Sequence, residues 1–138
     1  MTRTATAHWE GNLKEGKGTL STASHILKQT NYSYKTRFED GATGTNPEEL
    51  LAAAHAGCFT MAVAAMLTQK EWTPTSLDTE AIVTMEGLQI TNIHLSITGV
   101  IPGITAAEFD TLTKDAEKNC LISKVLNIPI VSESVLKS

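Results

Sequence analysis

The stretch NPEELLAAAHAGCFTMA, residues 46–62, decides the fold because it contains the start and the first half of a long helix. Asn46 is a favourable N-cap, Pro47 suits the first helical position, and Glu49 stands three residues after the cap, as in a capping box. The residues 50–69 include no Asp, Glu, Lys or Arg. We therefore predict a helix from this cap to about Lys70, about 35 Å long at the usual rise per residue.

This uncharged stretch is long enough to raise the question of a membrane span. Most of its residues, however, are Ala, Gly, Thr, Gln or His, which gives it a weak preference for lipid. Small side chains suit a helix that is buried against close neighbours. We interpret the stretch as the central helix of a soluble domain, and we expect no membrane partner.

The chain has 138 residues, enough for one domain that buries a core without a metal or a disulfide, and we expect a single domain over residues 1–138. Eleven basic and fifteen acidic residues give a net charge of -4. Because both signs are scattered and no basic patch forms, we expect no nucleic-acid partner. The first ten residues lack the apolar core of a secretory signal, and two cysteines are too few for a secreted disulfide scaffold, so we predict a cytoplasmic protein.

The remaining elements follow from local patterns. Glycines separate short Thr-rich pieces in the first forty residues, which predicts hairpin strands and no helix there. Aromatic and polar residues alternate over Tyr32–Glu39, which predicts a strand with Arg37 on the face opposite the rings. Further along, we predict two strands joined at Glu86–Gly87, a helix, a short helical turn and a last strand, over residues 76–86, 88–101, 105–119, 121–126 and 128–135.

The two cysteines, Cys58 and Cys120, occupy different surroundings. The helical neighbours of Cys58 are mostly apolar, and this stripe alone favours a buried structural cysteine. Cys120 falls at the junction of two helical segments, where free backbone N–H groups favour a thiolate. A cysteine with the ordinary pKa of about 8.5 is only about 3% thiolate at neutral pH, so a nucleophile needs a cation or hydrogen-bond donors nearby. Arg37 is the candidate cation, although the strand pattern alone favours a solvated arginine.

Glu48 suits the helix N-terminus through its charge, and that role alone explains it. It precedes Cys58 by ten residues, so one straight helix separates the two by about 15 Å. If a second copy of the helix crossed the first antiparallel at Ala53, Glu48 of one chain would lie level with Cys58 of the other, and we therefore hypothesise a homodimer. Because a carboxylate disfavours a neighbouring thiolate, Glu48 would hold Arg37 in place or hydrogen-bond a substrate hydroxyl.

A metal site has weak support. His55 and Cys58 have the spacing of a helical ligand pair, but zinc needs two more ligands and only Cys120, His94 or scattered carboxylates are available. We therefore expect no metal. The sequence also contains no serine nucleophile elbow, phosphate loop or dinucleotide fingerprint. We expect His8, His25 and His94 to be surface or satisfied strand residues.

Several motifs together resemble the osmotically inducible protein C (OsmC) and organic hydroperoxide resistance family, and its OsmC branch more closely. The resemblance covers essentially the whole chain. It is carried by HWEG at 8–11, GKGT at 16–19, TRFE at 36–39, GTNPEEL at 44–50, AHAGCF at 54–59, PTS at 74–76, and Cys120 ahead of Val125–Leu126.

The resemblance implies an α+β homodimer with two extensively shared sheets around paired central helices. It also implies a thiol-dependent peroxidase that reduces organic hydroperoxides, and hydrogen peroxide less readily, without a cofactor and with an external thiol as reductant. By motif, Cys58 matches the family's peroxidatic cysteine and Cys120 its resolving cysteine, and the two would form a disulfide. Glu48 matches the site glutamate, and Arg37 the site arginine.

Two other interpretations stay open on the residues alone. One is a small hydrophobic ligand-binding module with inert cysteines. The other is a thiol-dependent hydrolase with Cys58 as the acyl nucleophile, although no base and orienting partner is evident beside it.

Overall fold

The computed structural model describes residues 1–137, which fall into two compact units, Met1–Leu50 and the residues from Leu51 onward. Each unit contains one three-stranded sheet, so the α+β class is confirmed. In chain order the elements are β1 (Ala5–Glu10), β2 (Lys17–Thr22), β3 (Thr30–Tyr32), α1 (Tyr34–Phe38), α2 (Pro47–Gln69), β4 (Ser76–Glu86), β5 (Gln89–Val100), α3 (Ala106–Asn119), α4 (Leu121–Val125) and β6 (Ile130–Lys137).

The first unit is built on an antiparallel sheet in the order β1-β2-β3, as the hairpin prediction required. Gly18 on β2 pairs with Trp9 on one side and Tyr32 on the other. The two rings meet edge to face across it, with centroids 5.6 Å apart. A Cβ atom at Gly18 would lie 2.5 Å from Cε1 of Tyr32, so glycine is needed for the rings to approach.

The predicted strand over Tyr32–Glu39 is wrong beyond its first residue, because Tyr34–Phe38 forms the short helix α1. Ser33 caps this helix: its hydroxyl accepts the Thr36 N–H at 3.2 Å, and the Thr36 hydroxyl accepts the Ser33 N–H at 2.8 Å. Tyr34 and Phe38 are four residues apart and pack on one helix face, with tilted rings whose centroids are 5.0 Å apart. Aromatic residues at this spacing fit a helix as well as a strand, and the reciprocal cap decides between the two.

The long helix α2 begins at Pro47, as predicted, and runs for 23 residues. Asn46 caps it, because its Oδ1 accepts the Glu49 N–H at 2.7 Å. In a capping box the Glu49 carboxylate would accept the backbone N–H of Asn46. Here it accepts the Thr45 hydroxyl instead, at 2.7 Å. Within the described chain, α2 is the one helix long and apolar enough to cross a membrane. Its residues Phe59, Val63 and Leu67 are fully buried in the apolar cluster of the second unit, so one face of the helix belongs to the core.

The second unit holds the hydrophobic core. Strand β5 lies at the centre of the sheet, antiparallel to β4 and parallel to β6. The tight β4–β5 turn contains Gly87 at a φ of 61°. Ile93, Leu95 and Ile97 on β5 are fully buried, so this face of the strand lies against the core. They join the buried residues of α2 in one apolar cluster.

Helix α3 closes this cluster. A capping box starts the helix, with Thr105 and Glu108 exchanging two hydrogen bonds of 3.1 Å. Phe109, Leu112 and Ala116 lie at helical spacing and are all buried. Full burial of a phenylalanine or leucine side chain contributes about 1.5–3 kcal/mol, so this stripe fixes the helix in place.

The first unit, in contrast, has no apolar core of its own. Every buried hydrophobic residue of the described chain lies at or after Phe59. Residues 1–50 supply only small or polar groups to the buried set, namely Gly18, Thr45 and Glu48. A three-stranded sheet needs an apolar face that is covered in order to be stable in water.

Candidate functional site

Arg37 and Glu48 form an ion pair within the first unit. Arg37 lies on α1 and Glu48 in the first turn of α2, and the Arg37 Nε donates to Glu48 Oε1 at 2.7 Å. The Asn46 side-chain amide also donates to the Thr36 carbonyl at 3.0 Å, which joins the start of α2 to α1. The structure thus brings together two charged residues that are eleven positions apart in the sequence.

The surroundings of this ion pair leave hydrogen-bonding capacity unused. The side chain of Glu48 is only 9% exposed, whereas that of Arg37 is 44% exposed. The second carboxylate oxygen, Oε2, is buried and has no hydrogen-bond partner among the described residues. An ionised carboxylate can accept several hydrogen bonds, and a buried oxygen without one is unfavourable. The guanidinium also lies 5.2 Å from the centroid of the Phe38 ring, a cation–π contact that restrains it.

Cys58 lies near the middle of α2 and is partly buried. It packs against the apolar cluster of the second unit, and that cluster includes Cys120. Both cysteines are free thiols in this structure. The residues one turn away on α2 include His55 and Ala62, so the thiol lies on a helix face that is mostly apolar.

Cys120 ends α3 and caps α4, and it is 2% exposed. Its N–H donates to the Ala116 carbonyl at 3.0 Å, which completes the last turn of α3. Its sulfur accepts the Ser123 N–H at 3.3 Å and lies 3.1 Å from the Ser123 hydroxyl. The prediction that Cys120 stands between two helical segments is confirmed.

His55 links the surroundings of the two cysteines. Its Nε2 lies 2.7 Å from the Ser123 hydroxyl, which also contacts Cys120. Because His55 is one helical turn from Cys58, the structure brings the segments around both cysteines together. His55 is fully buried, and loss of hydration lowers its pKa below the ordinary value of 6.5.

Sequence reasoning missed Ser123 as a site residue. Its position three residues after Cys120 has the spacing of a helix cap, which is a local signal for the N–H bond to the sulfur. No comparable signal predicts its contact with His55, because 68 residues separate the two.

The other histidines lie apart from these groups. His8 is exposed and pairs with Glu10 at 3.2 Å, and His25 is exposed, whereas His94 is partly buried on β5. Over residues 1–137, no three His, Cys, Asp or Glu side chains are grouped so that they could hold a metal ion.

Comparison with known proteins identifies relatives over nearly the whole chain. A family model described as OsmC-like protein matches residues 39–134. The chain is 48% identical over 136 residues to Peroxiredoxin OsmC of Escherichia coli, which covers 96% of this chain and 94% of that protein. Among solved structures, the organic hydroperoxide resistance protein OhrB of Bacillus subtilis superimposes with a TM-score of 0.72 at 22% identity, covering 97% and 98% of the two chains. An OsmC-like protein of unknown function from Vibrio cholerae gives a TM-score of 0.74 at 15% identity, covering 98% and 99%.

Proposed function

The chain belongs to the OsmC-like protein family, and from this membership and the positions of its two thiols we propose that it is a thiol-dependent peroxidase that reduces organic hydroperoxides. The relative from Escherichia coli is named a peroxiredoxin, and OhrB of Bacillus subtilis is named an organic hydroperoxide resistance protein. The observation that carries the proposal is that the chain's two cysteines are free thiols associated with one apolar cluster, although 62 residues separate them. Oxidative or osmotic stress defence is the setting in which such a reaction would be used.

The proposed cycle begins with the Cys58 thiolate. It attacks the distal oxygen of the hydroperoxide, so that an S–O bond forms, the O–O bond breaks, and the alkoxide takes up a proton to leave as the alcohol. The sulfenic acid on Cys58 then reacts with Cys120. An S–S bond forms, and the hydroxyl group of the sulfenic acid leaves as water with the proton of the Cys120 thiol. An external thiol reduces the disulfide and restores both cysteines.

We assign Arg37 as the cation that favours the Cys58 thiolate and Glu48 as the residue that holds it. The 2.7 Å bond from Arg37 Nε to Glu48 Oε1 supports the second role. Because this bond uses only Nε, the other N–H groups of the guanidinium can donate to a thiolate or to a peroxide oxygen. The Oε2 of Glu48 has no hydrogen-bond partner within residues 1–137, and it could accept a hydrogen bond from the hydroperoxide O–H.

We propose that the functional form is a homodimer. Residues 1–50 bury no hydrophobic side chain within one chain, and only 22% of the apolar 18-residue window of α2 is buried. Ala53, the point at which two copies of α2 would cross, is exposed, as are Gly57 and Met61 on the same side. A second copy would cover this exposed face of α2, and it would supply an apolar surface against which residues 1–50 could pack.

The chemistry that we propose needs neither a prosthetic group nor a metal, because the cysteine sulfur itself accepts the oxygen atom. Its partners would be a small organic hydroperoxide and a thiol reductant, with no role for nucleic acid or a membrane. We propose that residues 1–138 act as a single OsmC-like domain in the cytoplasm, where reducing thiols are available.

Thiol titration tests the proposed activity. One equivalent of cumene hydroperoxide per reduced chain is expected to lower the number of free thiols from two to none, because both sulfurs enter the disulfide. Peptide mapping by mass spectrometry is expected to find a bridge between residues 58 and 120. The same protein treated with hydrogen peroxide serves as the comparison and should lose its thiols more slowly. Two free thiols after treatment would contradict the peroxidase and favour a ligand-binding module with inert cysteines.

Light scattering tests the dimer. The expected mass is twice the 14.8 kDa of one chain. Met61→Glu places a charge on the exposed face of α2 and is expected to halve that mass, because an unpaired charge cannot be buried in an apolar interface. Leu88→Glu is the control, because Leu88 is 90% exposed at the β4–β5 turn. A wild-type protein that remains monomeric at micromolar concentration would overturn the dimer.

A further inference from the structure

Three buried polar side chains form a continuous chain of contacts inside the second unit. His55 Nε2 lies 2.7 Å from Ser123 Oγ, and this hydroxyl lies 3.1 Å from Cys120 Sγ. The exposed fractions of His55, Ser123 and Cys120 are 0%, 8% and 2%. A histidine costs free energy to bury in an apolar cluster unless it is hydrogen-bonded, and within the described chain His55 is bonded to the serine that contacts Cys120.

The direction of these hydrogen bonds follows from the other ring nitrogen of His55. Burial lowers the pKa of His55, so the ring is neutral at pH 7 and carries a single N–H. The Nδ1 atom is buried and has no hydrogen-bond partner among the described residues. An unpaired buried N–H is rarer in proteins than an unpaired acceptor. We therefore place the hydrogen on Nε2, and Nδ1 carries none. Nε2–H therefore donates to the Ser123 oxygen.

The direction of this hydrogen bond determines which groups donate to the sulfur of Cys120. With its oxygen accepting from His55, the Ser123 hydroxyl directs its own hydrogen to Cys120 Sγ at 3.1 Å. The Ser123 backbone N–H donates to the same sulfur at 3.3 Å. Two donors on one buried sulfur fix its position and stabilise negative charge that develops on it, because hydrogen bonds to a charged acceptor are the stronger ones.

We propose that His55 and Ser123 are positioning residues for the resolving step, holding the Cys120 sulfur and stabilising the negative charge on it when it attacks Cys58. This role rests on the proposed peroxidase cycle. In the step itself the Cys120 thiolate forms the S–S bond with Cys58, the S–O bond of the sulfenic acid breaks, and the hydroxide that leaves becomes water with the proton released from Cys120. His55 acts through Ser123 and does not take up this proton.

Single-turnover kinetics of the full-length protein separate this role from the rest of the cycle. Sulfenic acid is trapped with dimedone, and disulfide formation is followed by mass spectrometry after one equivalent of cumene hydroperoxide. Ser123→Ala removes the hydroxyl but keeps the backbone N–H. It is expected to form the sulfenic acid at the wild-type rate and to close the disulfide about tenfold more slowly, so that the dimedone adduct accumulates.

Conservative variants distinguish hydrogen bonding from packing. Ser123→Thr keeps the hydroxyl and is expected to close the disulfide at nearly the wild-type rate. His55→Gln keeps a side-chain N–H and should behave like the wild type, whereas His55→Leu should behave like Ser123→Ala. If His55→Leu does not fold, the two Ser123 variants decide. Closure by Ser123→Ala at the wild-type rate, or equal slowing by His55→Gln and His55→Leu, would overturn the proposal.

These outcomes do not overlap with failure of the proposed function. If the wild-type protein forms neither sulfenic acid nor disulfide, the peroxidase itself is wrong. If the wild type completes both steps and the variants match it, the peroxidase stands and only the positioning role is lost.

Discussion

Cys58→Ser is expected to lower peroxide turnover by at least about a thousandfold, because a neutral serine hydroxyl is a far weaker nucleophile than a thiolate. The substitution replaces one sulfur by oxygen at a partly buried position on α2, so the fold is expected to persist. The measurement is the steady-state consumption of cumene hydroperoxide with a dithiol reductant in excess. Far-ultraviolet circular dichroism should give the same helix content as the wild type.

Cys120→Ser is the matched control for this loss. It makes the same substitution at the other cysteine, and it is expected to consume one equivalent of peroxide at the wild-type rate before stopping as the sulfenic acid of Cys58. A small external thiol should then restore slow turnover. If the two variants were equally inert in the first turnover, the division between a peroxidatic and a resolving cysteine would be wrong.

Arg37→Ala is expected to slow the reaction of Cys58 with peroxide by about 10- to 100-fold at pH 7, because a nearby cation raises the thiolate fraction by this order. The loss should shrink at pH 9, where a cysteine ionises without help. The measurement is the rate of Cys58 alkylation by iodoacetamide in the Cys120→Ser background between pH 5 and pH 10. The alkylation profile of Arg37→Ala should move to higher pH.

Two variants on the same elements sharpen this test. Lys35→Ala removes an exposed cation from the same short helix and is expected to leave the profile unchanged. Glu48→Gln keeps the shape of the partner but removes the charge that fixes the guanidinium at 2.7 Å, so an intermediate loss is expected. Identical profiles for Arg37→Ala and the wild type would remove Arg37 from the site.

The elements that could be predicted from the sequence are those with strong local signals. Asn46 and Pro47 marked the start of α2, and the pair Thr105 and Glu108 marked that of α3. Along Tyr32–Glu39 the local signals conflicted. Alternation predicted a strand, whereas Ser33 and Thr36 exchange the two bonds of a capping box and a helix forms. Both signals were present in the sequence, but only the structure shows which one prevails.

The candidate site divides in the same way between local and distant contacts. Cys58, Cys120, Glu48 and Arg37 were named by motif, and the Arg37–Glu48 contact was one of two roles considered for the glutamate. The contact between His55 and Ser123 joins α2 to the start of α4 across most of the second unit's sequence. Such a pairing depends on how α2 and α3 pack on the sheet, and no local pattern encodes it.

In the proposed cycle, the unequal burial of the two cysteines bears on how the disulfide would be reduced. Cys120 is almost wholly enclosed, whereas Cys58 is only partly buried, so an incoming thiolate reaches the sulfur of Cys58 first. The mixed disulfide would then form on Cys58 of α2, and the sulfur of Cys120 would be the leaving group. The hydroxyl and the backbone N–H of Ser123 would stabilise the charge on that sulfur. A reductant for this protein would therefore need to reach only Cys58 on α2, and it would have no need to reach the buried α3–α4 junction.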